Sequence, residues 1–256
     1  MDSFISWIGG KKLLRNIICS HFPSEEPAKY VEVFGGAGWV LFNKDKHAKF
    51  EVYNDVNSNL TNLFKCVKYH PKAIEEELDM TLYSREVFLE YKEIYKYDGL
   101  TDIQRATKFL YLIKTSFGSK VTTFGAKARN ITNTEYLREA HKRLAKVIIE
   151  NKSFEKLIQQ YDRVDTLFYC DPPYYGTESY YNHSDDPFTK QKHVELANIL
   201  KSIKGKVILS YNDCKEIREL YKDFIIIEVE RNNNLSNHTG NAKSPYKELI
   251  IKNFNS

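Results

Sequence analysis

The sequence predicts an α/β protein with a mainly parallel sheet, an antiparallel edge hairpin and an inserted, mostly helical segment. Three observations carry this reading. Six apolar runs of strand length are spread along the 256 residues, helical periodicity fills most spaces between them, and one space is far too long for a crossover helix.

The first run is KYVEVF at 29–34, and KFEVYN at 49–54 follows it across GGAGWVLFNKDKHA, which reads as a first crossover. The third, TLFYC at 166–170, is linked to KVILSY at 206–211 through TKQKHVELANILKSI, whose apolar residues recur at helical spacing. Strand, helix, strand in repetition gives parallel neighbours, because the return path runs over one face of the sheet. DFIIIEVE at 223–230 and ELIIKN at 248–253 are joined by a polar loop with no helical pattern, so they pair antiparallel at one edge.

Roughly 110 residues separate the second run from the third, several times what a crossover needs. The excess is placed at 66–156, leaving 1–65 and 157–256 as the sheet-bearing body. The insert opens with acidic helices, PKAIEEELDM and SREVFLEYKEIYK. It continues in ATKFLYLIKTSFGSKVTTFGAKARN, and ends with a helix over TEYLREAHKRLAKVI at 134–148.

Composition narrows the function classes. A hydrophobic content of 42% is enough to bury a sizeable core. No apolar run approaches the ~20 residues of a bilayer span, and MDSFISWIGGKK lacks the basic start and apolar centre of a signal peptide, so no membrane contact and a cytoplasmic location are expected. Cys19, Cys66, Cys170 and Cys214 lie far apart with no C-x-x-C pair, which reads as reduced, buried thiols and gives no metal site. The net charge of +4 hides a segregation. Residues 105–149 hold ten Lys or Arg against two Glu, a net of +8, while 67–104 hold five basic against nine acidic residues, a net of −4. A basic block of this kind is either a solvated helix face or the footprint of a polyanion.

Two stretches carry chemistry. VEVFGGAGWVL follows the first strand directly, and Gly35, Gly36 and Gly38 let backbone approach a ligand where a Cβ would clash. A nicotinamide-dinucleotide fingerprint would want a further glycine where Leu41 stands, so only G-x-G remains. At the end of the second strand, about 20 residues on, Asp55 in YNDVN is placed to accept hydrogen bonds from ribose hydroxyls, which favours an adenosine-containing ligand over a helix-capping Asp. The other stretch is TLFYCDPPYYGT. Ligands of open parallel sheets bind beyond the carboxyl ends of strands, and Asp171 sits one residue past such an end. Pro172 and Pro173 stop the strand and stiffen the loop beyond it. The Asp171 carboxylate and Pro172 carbonyl then offer two acceptors beside the flat Tyr174 ring, a set suited to an exocyclic amine on a base.

Through these residues the chain resembles the Dam-type (alpha group) family of DNA adenine-N6 methyltransferases. SWIGGK at 6–11 is similar to the family's K-W-A-G-G-K, with Ser6 and Ile8 departing from it. VEVFGGAG is similar to E-P-F-x-G-x-G, with Val33 in place of proline. FTKQKHVELANIL and LSYND resemble the motifs after D-P-P-Y, although Tyr211 interrupts the usual S-N pair. The motifs occur in the family's order over most of the chain. The resemblance implies a Rossmann-like class I methyltransferase fold with a target-recognition insert, S-adenosylmethionine as donor, and no metal. It places Trp7, Lys11, Glu32, Phe34, Gly36, Asp55, Asp171 and Phe188 around the donor, and gives Asp171, Pro172 and Tyr174 the catalytic roles. The expected partner is double-stranded DNA, with a cognate restriction endonuclease as a further partner of such enzymes.

The target amine lies inside the duplex stack, so its base must be turned out before it reaches Tyr174. KTSFGSKVTTFGAKARN carries hydroxyl, amide and cationic side chains, with Arg129 and Asn130 as base-reading candidates, and the loop RNNNLSNHTGNAKSP is expected to close on DNA. Cytosine-N4 methylation needs a similar pocket, though that class more often has serine in place of Asp171. A DNA-binding protein that keeps the fold without turnover is the reading from another class.

Overall fold

The computed structural model describes residues 1–95, 99–125, 131, 134–178, 187–231 and 246–255. Among the described residues seven strands form one sheet in the order β3-β2-β1-β4-β5-β7-β6. They are β1 (Lys29–Glu32), β2 (Phe50–Asn54), β3 (Val147–Glu150), β4 (Thr166–Cys170), β5 (Lys206–Asn212), β6 (Ile225–Arg231) and β7 (Tyr246–Lys252). The first five strands in this numbering pair in parallel, and β7 runs antiparallel between β5 and β6.

Alternation along the strands assigns the two faces. Tyr30, Tyr53, Leu167 and Tyr169 join one apolar core, and Val31, Val52, Phe168 and Cys170 join the other. Helices α7 (Phe154–Tyr161), α8 (Lys190–Ser202) and α9 (Lys215–Leu220) cover the second face. The first face is covered by the amino-terminal segment with α1 (Arg15–Ser20), by α2 (Ser58–Tyr69), and by the helices of the insert.

Those helices are α3 (Pro71–Asp79), α4 (Arg85–Ile94), α5 (Asp102–Thr115) and α6 (Glu135–Leu144). Local chemistry starts several of them. Asn57 accepts from the Asn59 and Leu60 amides to cap α2, Pro71 opens α3, and Ser84 caps α4. Thr101 and Gln104 form a reciprocal capping box at α5. Phe88, Leu110 and Leu137 of the insert belong to the same core as Tyr30 and Leu167 of the sheet, so the insert is packed onto the body through one apolar interior.

Three sequence expectations are corrected. The helix expected over 134–148 stops at Leu144, and Val147–Glu150 instead adds β3 beside β2, so the chain is back in the sheet before the boundary expected at 156. The segment between β1 and β2 holds only a 3-10 turn at Leu41–Asn43, because Gly36 and Gly38 take left-handed φ of 50° and 69° and break the helical path. Cys214 is half-buried, whereas Cys19, Cys66 and Cys170 are buried; all four are free thiols. Among the described residues no helix is long and apolar enough to cross a membrane.

Candidate active site

The carboxyl ends of β1, β2, β3 and β4 open into one crevice, as expected where parallel strands end. The glycine turn after β1 forms one wall. A Cβ on Gly35 would lie 2.2 Å from Tyr53 Cε2, and Tyr53 cannot yield because its ring stacks on Phe64 with centroids 3.9 Å apart. Gly36 N donates to Asp55 Oδ2 at 2.8 Å and the Tyr53 hydroxyl donates to Gly36 O at 2.7 Å, so the end of β2 holds the turn open. Asp55 Oδ1 meanwhile accepts from Asn57 N at 2.8 Å. Burial pushes the Asp55 carboxyl up, and these two amides pull it back.

The amino-terminal segment brings Trp7 and Lys11 across the crevice. Trp7 lies between the Gly36 turn and Phe109 of α5, its ring centroid 5.8 Å from that of Phe109. Lys11 is 4% exposed. Its Nζ donates to Gly9 O at 2.8 Å and stands 2.7 Å from Asp171 Oδ1. The two charges meet in a largely buried setting, the Lys11 side chain 4% and the Asp171 side chain 17% exposed. Burial lifts the Asp171 carboxyl to about 6 despite the downward pull of Lys11, with nearby Glu248 adding to the rise. Glu32, at the end of β1, is raised further, to about 8, by complete burial; the Tyr30 hydroxyl donates to its Oε2 at 2.7 Å.

Phe34, Phe154 and Phe188 close the far end as an aromatic trio with centroids 5.6 to 5.8 Å apart. Phe34 follows β1, Phe154 opens α7, and Phe188 precedes α8. Pro172 is buried behind Asp171, and Pro173 rather than Pro172 lines the crevice. Tyr174 turns its ring toward Lys11, whose Nζ is 4.7 Å from the centroid.

All eight residues expected around the donor therefore line this crevice: Trp7, Lys11, Glu32 and Phe34 together with Gly36, Asp55, Asp171 and Phe188. Lys152, Ser153 and Phe154 line it as well. No motif marks them; they stand there because β3 ends just before them, and recognising that strand is the signal that would have found them. Arg129 and Asn130 lie outside the described residues, as do residues 232–245 of the expected closing loop. The described part of the basic stretch makes a tight turn after α5. Phe117 N donates to Thr123 O at 2.8 Å, Gly125 N to Thr115 O at 2.7 Å, and Phe117 is left 74% exposed.

The chain is 26% identical over 270 residues to the type II methyltransferase M.CviBI of Paramecium bursaria Chlorella virus NC1A, covering 99% of this chain and 100% of the relative. It is 26% identical over 284 residues to the type II methyltransferase M1.LlaDCHI of Lactococcus lactis, covering 98% and 95%. The DNA adenine methylase of Haemophilus influenzae is 28% identical over 253 residues, covering 89% of this chain and 86% of the relative. A family model described as D12 class N6 adenine-specific DNA methyltransferase matches residues 7–235. That span runs from the Trp7 strap through the Asp171 loop to four residues past β6, and the chain belongs to the D12 class of N6 adenine-specific DNA methyltransferases, enzymes that methylate adenine in DNA.

Proposed function

We propose that the crevice holds S-adenosylmethionine and that Asp171, the Pro172 carbonyl and Tyr174 receive an adenine turned out of duplex DNA. The observation that carries this reading is Asp171 itself: a carboxylate just past the end of β4 that lines the crevice, with the buried Lys11 ammonium 2.7 Å from its Oδ1 as counter-charge. Family membership implies the donor, and the residues suit it. Gly36 leaves space where a Cβ would press on Trp7 across the crevice, Asp55 keeps spare lone pairs for ribose hydroxyls, and the phenylalanine trio gives an apolar seat for a base.

When bound, S-adenosylmethionine supplies an activated methyl group. The chain supplies orientation. Asp171 and the Pro172 carbonyl accept hydrogen bonds from the adenine amine, which draws its lone pair out of conjugation with the ring. Lys11 keeps Asp171 ionised for this task, and the carboxylate takes up the proton the amine gives off. Holding the amine in one direction is worth up to ~7–11 kcal/mol in favourable systems. Turning the base out costs a few kcal/mol, offset in part by stacking on Tyr174. The basic segment of the insert binds phosphates, giving affinity that falls steeply with salt. A donor made inside cells and a DNA substrate suit a cytoplasmic location.

Transfer of labelled methyl from S-adenosylmethionine to unmodified duplex DNA, with nucleoside analysis and sequencing, tests the reading. Label on adenine N6 in one sequence context is expected, and Asp171→Ala is expected to abolish it with the fold intact. The modified sequence also names the site that a cognate restriction endonuclease would cut. Label on cytosine N4, or on RNA alone, would overturn the reading.

A further inference from the structure

Tyr174 and its neighbour are held by one rung of the sheet. The Tyr174 hydroxyl donates to Glu248 Oε2 at 2.5 Å, and Glu248, on β7, is 1% exposed. Directly opposite Glu248 in the β5–β7 register stands Asn212. Its side chain clamps the next residue of the loop: Asn212 Oδ1 accepts from Tyr175 N at 3.0 Å, and Nδ2 donates to Tyr175 O at 3.1 Å. The Tyr174 ring between these anchors has Lys11 Nζ over one face and the Tyr211 ring 6.2 Å away.

A buried carboxylate in a strand calls for a cause. Burial of an ionisable group is unfavourable unless its partners repay it, and a β-branched apolar residue would suit this strand position better. No step of the proposed transfer uses Glu248. A hydrogen bond from a phenol to a carboxylate is directional and charge-assisted, so it fixes the rotation of the ring as well as its distance. The Asn212 clamp holds backbone alone and leaves the two side-chain torsions of Tyr174 to other contacts.

We propose that Glu248 is a positioning residue for methyl transfer, acting through the Tyr174 hydroxyl to hold that ring in the plane that receives the target adenine. The inference rests on Tyr174 being the stacking face. The anchor is a strand paired on both sides, which is stiffer than the loop it steadies. Glu248 also lies close enough to Asp171 to raise its proton affinity, which gives a second route from Glu248 to the chemistry. Glu248→Gln separates the two, because it removes the charge and keeps an acceptor.

The test compares kcat and KM in Y174F, E248A, E248Q and the double variant Y174F/E248A. Base turning is followed by the fluorescence of 2-aminopurine at the methylated position, once sequencing has located it. Y174F and E248A are each expected to lower kcat about tenfold and to weaken the fluorescence signal, with KM for the donor unchanged. The double variant is expected to be no worse than E248A, because Y174F removes only a bond that E248A already lacks. E248Q is expected to stay within about threefold of wild type. Losses that multiply in the double variant, a normal kcat in Y174F, or an E248Q as poor as E248A would overturn the tether. Y174F deletes the bond from the more exposed partner, so the result does not depend on how well E248A folds. Wild-type turnover in Y174A would instead remove the stacking reading on which the tether rests.

Discussion

Lys11 and Asp171, 160 positions apart in sequence, meet with Nζ 2.7 Å from Oδ1, and both lie where the crevice passes from the glycine turn to the D-P-P-Y loop. The amino-terminal strap thus sets the charge of the residue on which the proposed chemistry turns. Without a nearby cation, burial alone would carry Asp171 still higher than about 6.

Replacing Lys11 by Met is expected to move the acid limb of the kcat/KM profile upward. The working form of Asp171 is the carboxylate, so the rate of the wild type should fall as pH drops through about 6. Loss of Lys11 removes the main downward influence, so more of the enzyme is protonated at pH 7 and part of the loss returns at pH 9. A limb that stays in place while the whole profile drops would mean that Lys11 acts on the donor alone.

Replacing Asp55 by Ala is expected to weaken donor binding roughly ten- to hundredfold by calorimetry. Two amides lose their acceptor, Gly36 N and Asn57 N, so the glycine turn loses its brace along with the ribose contact. Donor affinity equal to wild type would show that the adenosine end lies elsewhere in the crevice.

The range of an interaction decides whether the sequence reveals it. Six strands stand out because each is an apolar run bounded by turn residues. Val147–Glu150 does not, since it continues the apolar spacing of α6, and only its pairing with β2 makes it a strand. With that strand hidden, Phe154 at its carboxyl end is hidden as well. Lys11 and Asp171 are readable as separate motifs, but their contact depends on the fold. Glu248 sits in an ordinary-looking strand, and its use of Tyr174 is visible only once β7 lies beside β5.

The buried pair of Arg143 and Glu51 offers a test of packing. Their side chains are 5% and 6% exposed, and Arg143 Nη2 stands 2.7 Å from Glu51 Oε1 while Nη1 stands 2.7 Å from Oε2. Arg143 also donates to Lys44 O and Leu41 O, at 2.8 Å each, which pins the segment carrying Val40 of the crevice wall to α6. R143M is expected to lower unfolding free energy in urea by about 3–5 kcal/mol, because Glu51 is left as an uncompensated buried charge. R143M/E51M should recover much of that loss. A double variant as unstable as R143M would assign the cost to the lost carbonyl contacts.

Glu32 links the crevice to the stability of the whole fold. Its carboxyl titrates near 4.5 when the chain is unfolded and at about 8 in the buried native site. Between those values the native state holds a proton that the unfolded state has released, so the stability that Glu32 contributes is fully present below about 4.5 and is lost as pH rises toward 8. E32Q cannot ionise, and its amide oxygen still accepts from the Tyr30 hydroxyl that now meets Glu32 Oε2. E32Q is therefore expected to be more stable than wild type at pH 8, on the order of a few kcal/mol, with the difference shrinking toward pH 5. Melting temperatures across that range decide it. A constant difference at every pH would mean that Glu32 is ionised in the native site, balanced by charge rather than by a proton.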